Sequence, residues 1–343
     1  MDSFRRIVLA TRPQGEPDLA NFRLETATRP VLKDGEILLR NHYLSLDPYM
    51  RGRMSAGKSY AAPQALDEVM IGGTVGEVIE SKQPNLPVGQ WLQAYGGWQE
   101  LSVLNAEGQA LCTRIDVTRA PLAQVPLSYY LGVLGMPGQT AWIGLTDILK
   151  AKAGETVVVS AASGAVGSVV GQLAKLRGMR AIGIAGGADK CRHVTEQLGF
   201  DACIDYRQCA DAKSLSEQVQ AVAPRGVDAY FDNVGGLVLE GVMDAMNAFG
   251  RVAVCGMISG YNGESIALKN PLVILRSRLS IQGFIVFEHR ERVPMANAEL
   301  TSHVMSGRIR YTETIAEGLT QAPAAFLGML KGRHMGKQLV KLV

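Results

Sequence analysis

In SAASGAVGSVV, the spacing Ala162-x-Gly164-x-x-Gly167 is that of a dinucleotide fingerprint whose first glycine is replaced by alanine. The chemistry such a loop permits is cofactor binding. Gly164 lets the backbone approach a pyrophosphate, and Gly167 lets a helix pack closely on the preceding strand. The helix N-terminus then offers N–H groups and a favourable dipole to the phosphates. The next strand ends in IAGGADKCRH, with Gly186 and Gly187 where an NAD site would carry an acid for the ribose 2′-hydroxyl. Lys190 and Arg192 follow one turn into the next helix, so a cation is at hand for a 2′-phosphate, and NADP(H) is the expected cofactor. Asp189 is the discordant residue.

The remaining chemistry is narrow. The five histidines (His42, His193, His289, His303, His334) are dispersed, and no Cys or His cluster has metal-ligand spacing. None of the ten tyrosines is followed four residues later by lysine, and there is no G-x-S-x-G elbow. Hydride transfer here has neither a metal nor a Tyr–Lys pair to rely on. Tyrosines in loops are the acid candidates left: Tyr49 in SLDPYMRGRM and Tyr261 in CGMISGYN. Tyr261 lies just past the C-terminal end of a predicted parallel strand, where such sheets bind ligands. Most tyrosines in a chain of this size pack in the interior, so the residues alone leave both assignments open.

The elements that must position these groups are legible in the pattern. From about residue 154, strands (TVVVS, RAIGIAG, DACIDY, VDAYFDN, RVAVCG) alternate with helices (VGSVVGQLAKLRG, ADKCRHVTEQLG, SLSEQVQAVA, LVLEGVMDAMNAFG). Short, continuously apolar strands fit a parallel sheet covered on both faces, which predicts a doubly wound α/β domain. The first 120 or so residues differ. EILLRNHYLSL, GGTVGEVIES and QWLQAYG are β patterns separated by Gly and Pro turns, with no helices expected between them. Near the end, PAAFLGMLKG reads as a helix and KQLVKLV as a strand.

A chain of 343 residues with 47% hydrophobic content suggests two domains, and a net charge of +3 is too weak to argue for nucleic acid or an anionic membrane. Residues 120–146 are uncharged but broken by Pro121, Pro126 and Pro137. Residues 156–174 are uncharged but glycine-rich. A spanning helix wants about 20 strongly apolar residues, so both are expected to be buried backbone rather than spans. The opening MDSFRRIVLATRPQG has only a four-residue apolar run, and no signal peptide is expected. Five scattered cysteines (Cys112, Cys191, Cys203, Cys209, Cys255) without a CxxC pair fit a reducing compartment, hence the cytoplasm.

LSLDPYMRGRM, GMPGQTAWIGL, AASGAVGSVVGQLAKLRG, AGGADKCRH, FDNVGG, CGMISGYN, QGFIV and GKQLVK, in that order, resemble the zinc-independent medium-chain dehydrogenase/reductases. Within them the similarity is to the leukotriene B4 dehydrogenase/prostaglandin reductase group and to the bacterial NADPH-dependent curcumin reductases. The resemblance implies a GroES-like, β-rich substrate domain over residues 1–125, completed by 312–343, and an NADP-binding Rossmann domain over 126–311. It further implies that the cofactor lies in the cleft between them, that the enzyme is a homodimer, and that it reduces the C=C bond of enones and enals with NADPH. Position by position, Ser163, Gly164, Ala165, Val166 and Gly167 match the pyrophosphate loop, and Gly187, Lys190 and Tyr206 the 2′-phosphate end. Met136, Thr140, Asn233, Cys255, Gly256, Ile258, Ser259, Tyr261, Phe284, Ile285 and Val286 match the remaining cofactor contacts. Tyr49 and Tyr261 fall in segments that line the substrate cleft.

Two positions depart from the wider pattern. Zinc-dependent cousins carry Gly-His-Glu where this chain reads IGGTVGE, and Gly73 and Thr74 cannot bind zinc. The C-terminal motif usually has Asn two residues before Gly-Lys, and here that position is His334, also a cofactor candidate. Two other readings share these features: an NADPH:quinone oxidoreductase, and an NADPH-binding protein without turnover.

Overall fold

The computed structural model describes residues 3–57, 59–117, 124–264 and 266–343. The chain forms two compact units, Met1–Leu131 with Glu313–Val343, and Gly132–Thr312.

The second unit is built on a six-stranded, all-parallel sheet. Its order is Ala202–Asp205, Arg180–Ala185, Thr156–Ser160, Val227–Asp232, Met246–Val254 and Ser280–Gly283. Counted along the chain this is 3-2-1-4-5-6, the doubly wound order, whose reversal point lies between the first and fourth strands. Thr156–Ser160 is buried throughout, as expected where helices cover both faces. The helix Gly167–Leu176 buries all of its first eight residues, and Gly171 makes that possible: a β-carbon there would sit 1.8 Å from the Phe200 ring.

One helix ends earlier than its pattern suggests. LVLEGVMDAMNAFG is helical only as Gly236–Asp244; MNAFG belongs to the strand Met246–Val254. The Asn247 side chain donates to Arg225 O (3.0 Å) and Asp228 Oδ1 (2.8 Å), tying the segment to the neighbouring strand. Tertiary bonds override a local helical preference here.

In the first unit Ile37–Ser45 is the central strand. It pairs antiparallel with Thr74–Ser81, with Leu101–Leu104 and with the last strand of the chain, Lys337–Lys341. Trp91–Ala94, Thr113–Ile115 and Glu313–Glu317 complete this sheet, and Ser3–Leu9 pairs separately with Phe22–Thr28. The core beneath is aromatic: Trp98 stacks on Phe22 (5.4 Å, 9°) and meets Phe326 edge-on at 5.6 Å. SLDPYMRGRM, expected as a loop, winds into a helical turn, Tyr49–Arg53. A second short helix, Ala106–Ala110, also interrupts the strands.

Of the uncharged stretch 120–146, residues 120–123 lie outside the described residues. The rest holds a 3₁₀ turn, Leu127–Leu131, and the helix Met136–Ile143. Among the described residues no helix is long and apolar enough to cross a membrane.

Candidate functional site

The fingerprint loop leaves the strand Thr156–Ser160 through Ala161, whose φ of +48° lies in the left-handed region. The turn that a first glycine would ordinarily ease is therefore made one residue earlier. Ala162 is fully buried and faces Gly183 of the adjacent strand, where a β-carbon would come within 2.8 Å of the Ala162 methyl. Alanine fits in the fingerprint because glycine faces it. Gly167 has no such latitude: a β-carbon would lie 2.4 Å from Ala161 O and 3.0 Å from Ala162 Cα. Ser168 N–H bonds to Gly164 O, and Val169 and Val170 N–H bond to Val166 O, which makes Ala165, Val166 and Gly167 the leading amides of the helix. Ser163 is buried in the turn, and the Tyr311 hydroxyl donates to Ala165 O at 3.4 Å. The loop fits a pyrophosphate by its missing side chains and by its leading N–H groups.

At the end of the second strand the two glycines create a second receptive surface. Gly187, at φ +103°, donates its N–H to Asp205 Oδ1 (2.7 Å), which also accepts from Arg207 N–H (3.1 Å). A β-carbon on Gly186 would be 2.9 Å from the Tyr206 ring and 3.0 Å from Arg207 Nε, so both side chains lie over that glycine. Burial, then the nearby Arg207 guanidinium, pulls the Lys190 ammonium below its ordinary pKa. The Tyr206 phenol and the Arg207 guanidinium thus lie over Gly186, with the Lys190 ammonium near enough to feel Arg207, a set suited to a dianionic phosphate. The discordant Asp189 pairs with Arg192 at 2.6 Å and points outward, its side chain 89% exposed. Arg207 was missed in the sequence. The signal was its place just past DACIDY, since neighbouring parallel strands share their carboxyl-end crevice.

The fourth strand carries a second missed residue, Asp232, which is fully buried. Its carboxylate accepts from Tyr230 OH (2.6 Å), Ser160 Oγ (3.0 Å) and the N–H groups of Val234 and Gly235 (3.0 and 3.1 Å). Asn233 donates its N–H to Ser160 Oγ and its amide Nδ2 to Ser160 O, both at 2.8 Å. These bonds lock the first and fourth strand ends together at the switch point. The Asp232 carbonyl in turn accepts from Cys255 and Gly256 N–H (2.8 and 3.2 Å), and Ser259 bonds Val234 O through its N–H (3.1 Å) and hydroxyl (2.6 Å). Ile258 N–H reaches Asn233 O at 3.4 Å. The segment so held returns the Tyr261 hydroxyl to Gly256, 3.3 Å from where a β-carbon would stand there.

Burial and Asp232 push the Cys255 thiol up to about 12, which keeps it protonated and non-nucleophilic at neutral pH. Phe284 donates its N–H to Val254 O (3.3 Å) and packs edge-on against Phe231, with Ile285 and the buried Val286 following. Met136 and Thr140 sit one turn apart on one helix, the Thr140 hydroxyl donating to Met136 O at 2.7 Å. A cavity of ≈ 450 Å³ in this unit lies among Asp211, Lys213, Glu240 and Lys269, and none of the candidate residues lines it.

Tyr49 and His334 belong to the other unit. Burial pushes the Tyr49 phenol well above its ordinary pKa, with Asp47, Tyr95 and Tyr60 adding to the effect, so it is a protonated donor through the neutral range. The fully buried Lys337 donates to Asp47 Oδ1 (3.0 Å), Leu46 O (2.6 Å) and Gln338 O (3.2 Å), and Ser45 Oγ donates to the other Asp47 oxygen. That network fixes the backbone two residues before Tyr49, and nothing in the local sequence around either partner points to it. His334 lies in the turn leading to the strand Lys337–Lys341. The Thr74 hydroxyl accepts from Gly96 N–H at 3.1 Å. Among the described residues no three His, Cys, Asp or Glu side chains gather as a metal set.

Residues 5–111 match a family described as the N-terminal domain of oxidoreductase, and residues 165–302 one described as zinc-binding dehydrogenase. The chain is 44% identical to the NADPH-dependent curcumin reductase of Escherichia coli (strain K12), over 98% of this chain and 96% of that protein. It is 41% identical to prostaglandin reductase 1 of Bos taurus, over 95% of each. Among solved structures, CurA from Vibrio vulnificus in complex with NADPH superposes with a TM-score of 0.90 at 44% identity, over 99% of each chain.

Proposed function

The chain belongs to the medium-chain dehydrogenase/reductase family, and we propose that this protein is an NADPH-dependent reductase of carbon–carbon double bonds. Its substrates are α,β-unsaturated ketones and aldehydes, curcumin-type enones among them, and it works without a metal. The observation that carries the reading is the Tyr261 hydroxyl held beside Gly256, at the carboxyl end of the sheet that also carries the phosphate loop.

NADPH, when bound, supplies a hydride, which an enone accepts at its electrophilic β-carbon. Ser163, Gly164, Ala165, Val166 and Gly167 hold the pyrophosphate; Gly187, Lys190, Tyr206 and Arg207 hold the 2′-phosphate. Met136, Thr140, Asn233, Cys255, Gly256, Ile258, Ser259, Phe284, Ile285 and Val286 contact the rest of the cofactor, and His334 is a further candidate contact. Tyr261 donates a hydrogen bond to the substrate carbonyl oxygen as negative charge develops there. A phenol of pKa about 10 donates without ionising at neutral pH, which a carboxylate cannot do. Tyr49 is the second phenol donor candidate, for the α-carbon proton or for lining the substrate site. The five free cysteines and the mild charge suit a cytoplasmic enzyme, which we take to be a homodimer with residues 1–125 and 312–343 as its substrate domain and 126–311 as its cofactor domain.

An NADPH-oxidation screen across enones, enals, quinones and curcuminoids tests the reading. Turnover concentrated on enones and enals supports it. Turnover of quinones alone makes the protein a quinone oxidoreductase, and NADPH binding without turnover of any class makes it a non-catalytic binder.

A further inference from the structure

Cys191 and Cys203 stand on the two arms that form the 2′-phosphate end of the site. Cys191 follows Lys190 on the helix Ala188–Arg192, and Cys203 lies in the strand Ala202–Asp205, which ends two residues before Arg207. Their sulfurs are 3.0 Å apart, the Cys203 S–H directed at Cys191 Sγ, and both residues are half-buried. Cys203 is paired across the sheet with Gly183, where even a β-carbon would come within 3.4 Å of its sulfur. The missing side chain leaves the pair its room. A disulfide needs its sulfurs about 2.0 Å apart, so closing the 3.0 Å gap draws the arms together by about 1 Å or twists them.

We propose that Cys191 and Cys203 are a peroxide-oxidisable dithiol whose disulfide form weakens NADPH binding at Lys190 and Arg207. The effect on affinity rests on the NADPH reading above; the disulfide does not. The Cys191 thiolate attacks one oxygen of hydrogen peroxide, forming an S–O bond as the O–O bond breaks, and the departing hydroxide takes up the proton from Cys191 to leave as water. The Cys203 sulfur then attacks Cys191 Sγ, forming the S–S bond and breaking S–O. The released hydroxide takes up the proton from Cys203, so two thiols and one peroxide become one disulfide and two waters. The order follows from the hydrogen bond. Accepting from Cys203 holds the Cys191 thiol below its ordinary pKa, whereas burial pushes Cys112 and Cys255 up to about 11 and about 12 and also raises Cys209.

The coupling works through Asp205 and Lys190. Asp205, two residues beyond Cys203, holds the N–H groups of both Gly187 and Arg207, so a shift of either arm changes the spacing of the two cations. Linkage is reciprocal: if the disulfide weakens NADPH binding by some factor, bound NADPH protects the dithiol from oxidation by the same factor.

The test uses the full-length protein, reduced, freed of reductant and treated with hydrogen peroxide. The expected result is loss of two hydrogens in the intact mass and a Cys191–Cys203 linked peptide on non-reducing digestion. The NADPH dissociation constant should rise about fivefold or more, NADH binding should change less, and dithiothreitol should reverse the change. In glutathione buffers, NADPH should raise the oxidising ratio needed for half-oxidation by that same factor. Cys191→Ser and Cys203→Ser should each keep the reduced affinity and lose the peroxide response. A linkage to Cys209, sulfinic acid without linkage, or an NADPH affinity unchanged or tightened by oxidation would overturn the proposal. If the reduced protein does not bind NADPH at all, the cofactor reading fails, and the linked peptide still decides whether the thiols pair.

Discussion

Lys190 and Arg207 follow the ends of two neighbouring parallel strands, and only one of them is legible in a linear reading. Lys190 announces itself because the acid expected before it is missing and a helix turn places it at the strand end. Arg207 comes 17 positions later and becomes its neighbour only through the parallel pairing of Ala202–Asp205 with Arg180–Ala185. Each charge-assisted bond to phosphate contributes about 1.5–3 kcal/mol, so Lys190→Ala and Arg207→Ala should each weaken NADPH roughly ten- to a hundredfold. NADH, which lacks that phosphate, should be nearly unaffected. Fluorescence titration with both cofactors checks this, and equal losses for the two would mean that these residues serve the fold. Tyr261→Phe removes the donor but leaves the ring. Turnover should fall by roughly 10²–10³ with NADPH binding retained. Unchanged turnover would pass the role to Tyr49, whose partly buried phenol also stays protonated at neutral pH.

Elements were readable where burial is symmetric and misread where a side chain ties a segment to something distant. The inner strands of the second unit, Thr156–Ser160, Arg180–Ala185 and Val227–Asp232, are almost wholly buried and mostly apolar because helices cover both faces, and that pattern survives in sequence, whereas the edge strand Ser280–Gly283 is exposed. MNAFG reads as a helix because its bonds to Arg225 and Asp228 are invisible locally. SLDPYMRGRM reads as a loop although Pro48 opens a helical turn there. The buried Lys337–Asp47 pair ties that turn to the last strand of the chain. Removing one partner of such a pair leaves the other charged and buried, so Lys337→Met should destabilise the protein by about 3–5 kcal/mol. Thermal unfolding reads this; a melting temperature within a degree or so of the parent would contradict the burial argument. Gly167→Ala tests the loop. A β-carbon 2.4 Å from Ala161 O must push the helix off the turn, at about 1–3 kcal/mol, and NADPH binding should weaken with it. An alanine variant that binds NADPH normally would show that the turn yields.

At the scale of the whole molecule, the chemistry is assigned to phenols and backbone amides instead of a metal. Prolonged treatment with a strong chelator should therefore leave enone reduction intact, and loss of activity restored by zinc would refute a metal-free mechanism. The site at which the hydride arrives reports on the reaction itself. NADPH deuterated at C4 on the transferred face is mixed with the protein and a simple enone, and the product is read by NMR. Deuterium at the β-carbon of a saturated ketone is the expected result. Deuterium at the carbinol carbon of an alcohol that keeps its C=C bond would make the protein a carbonyl reductase and contradict the function proposed for it.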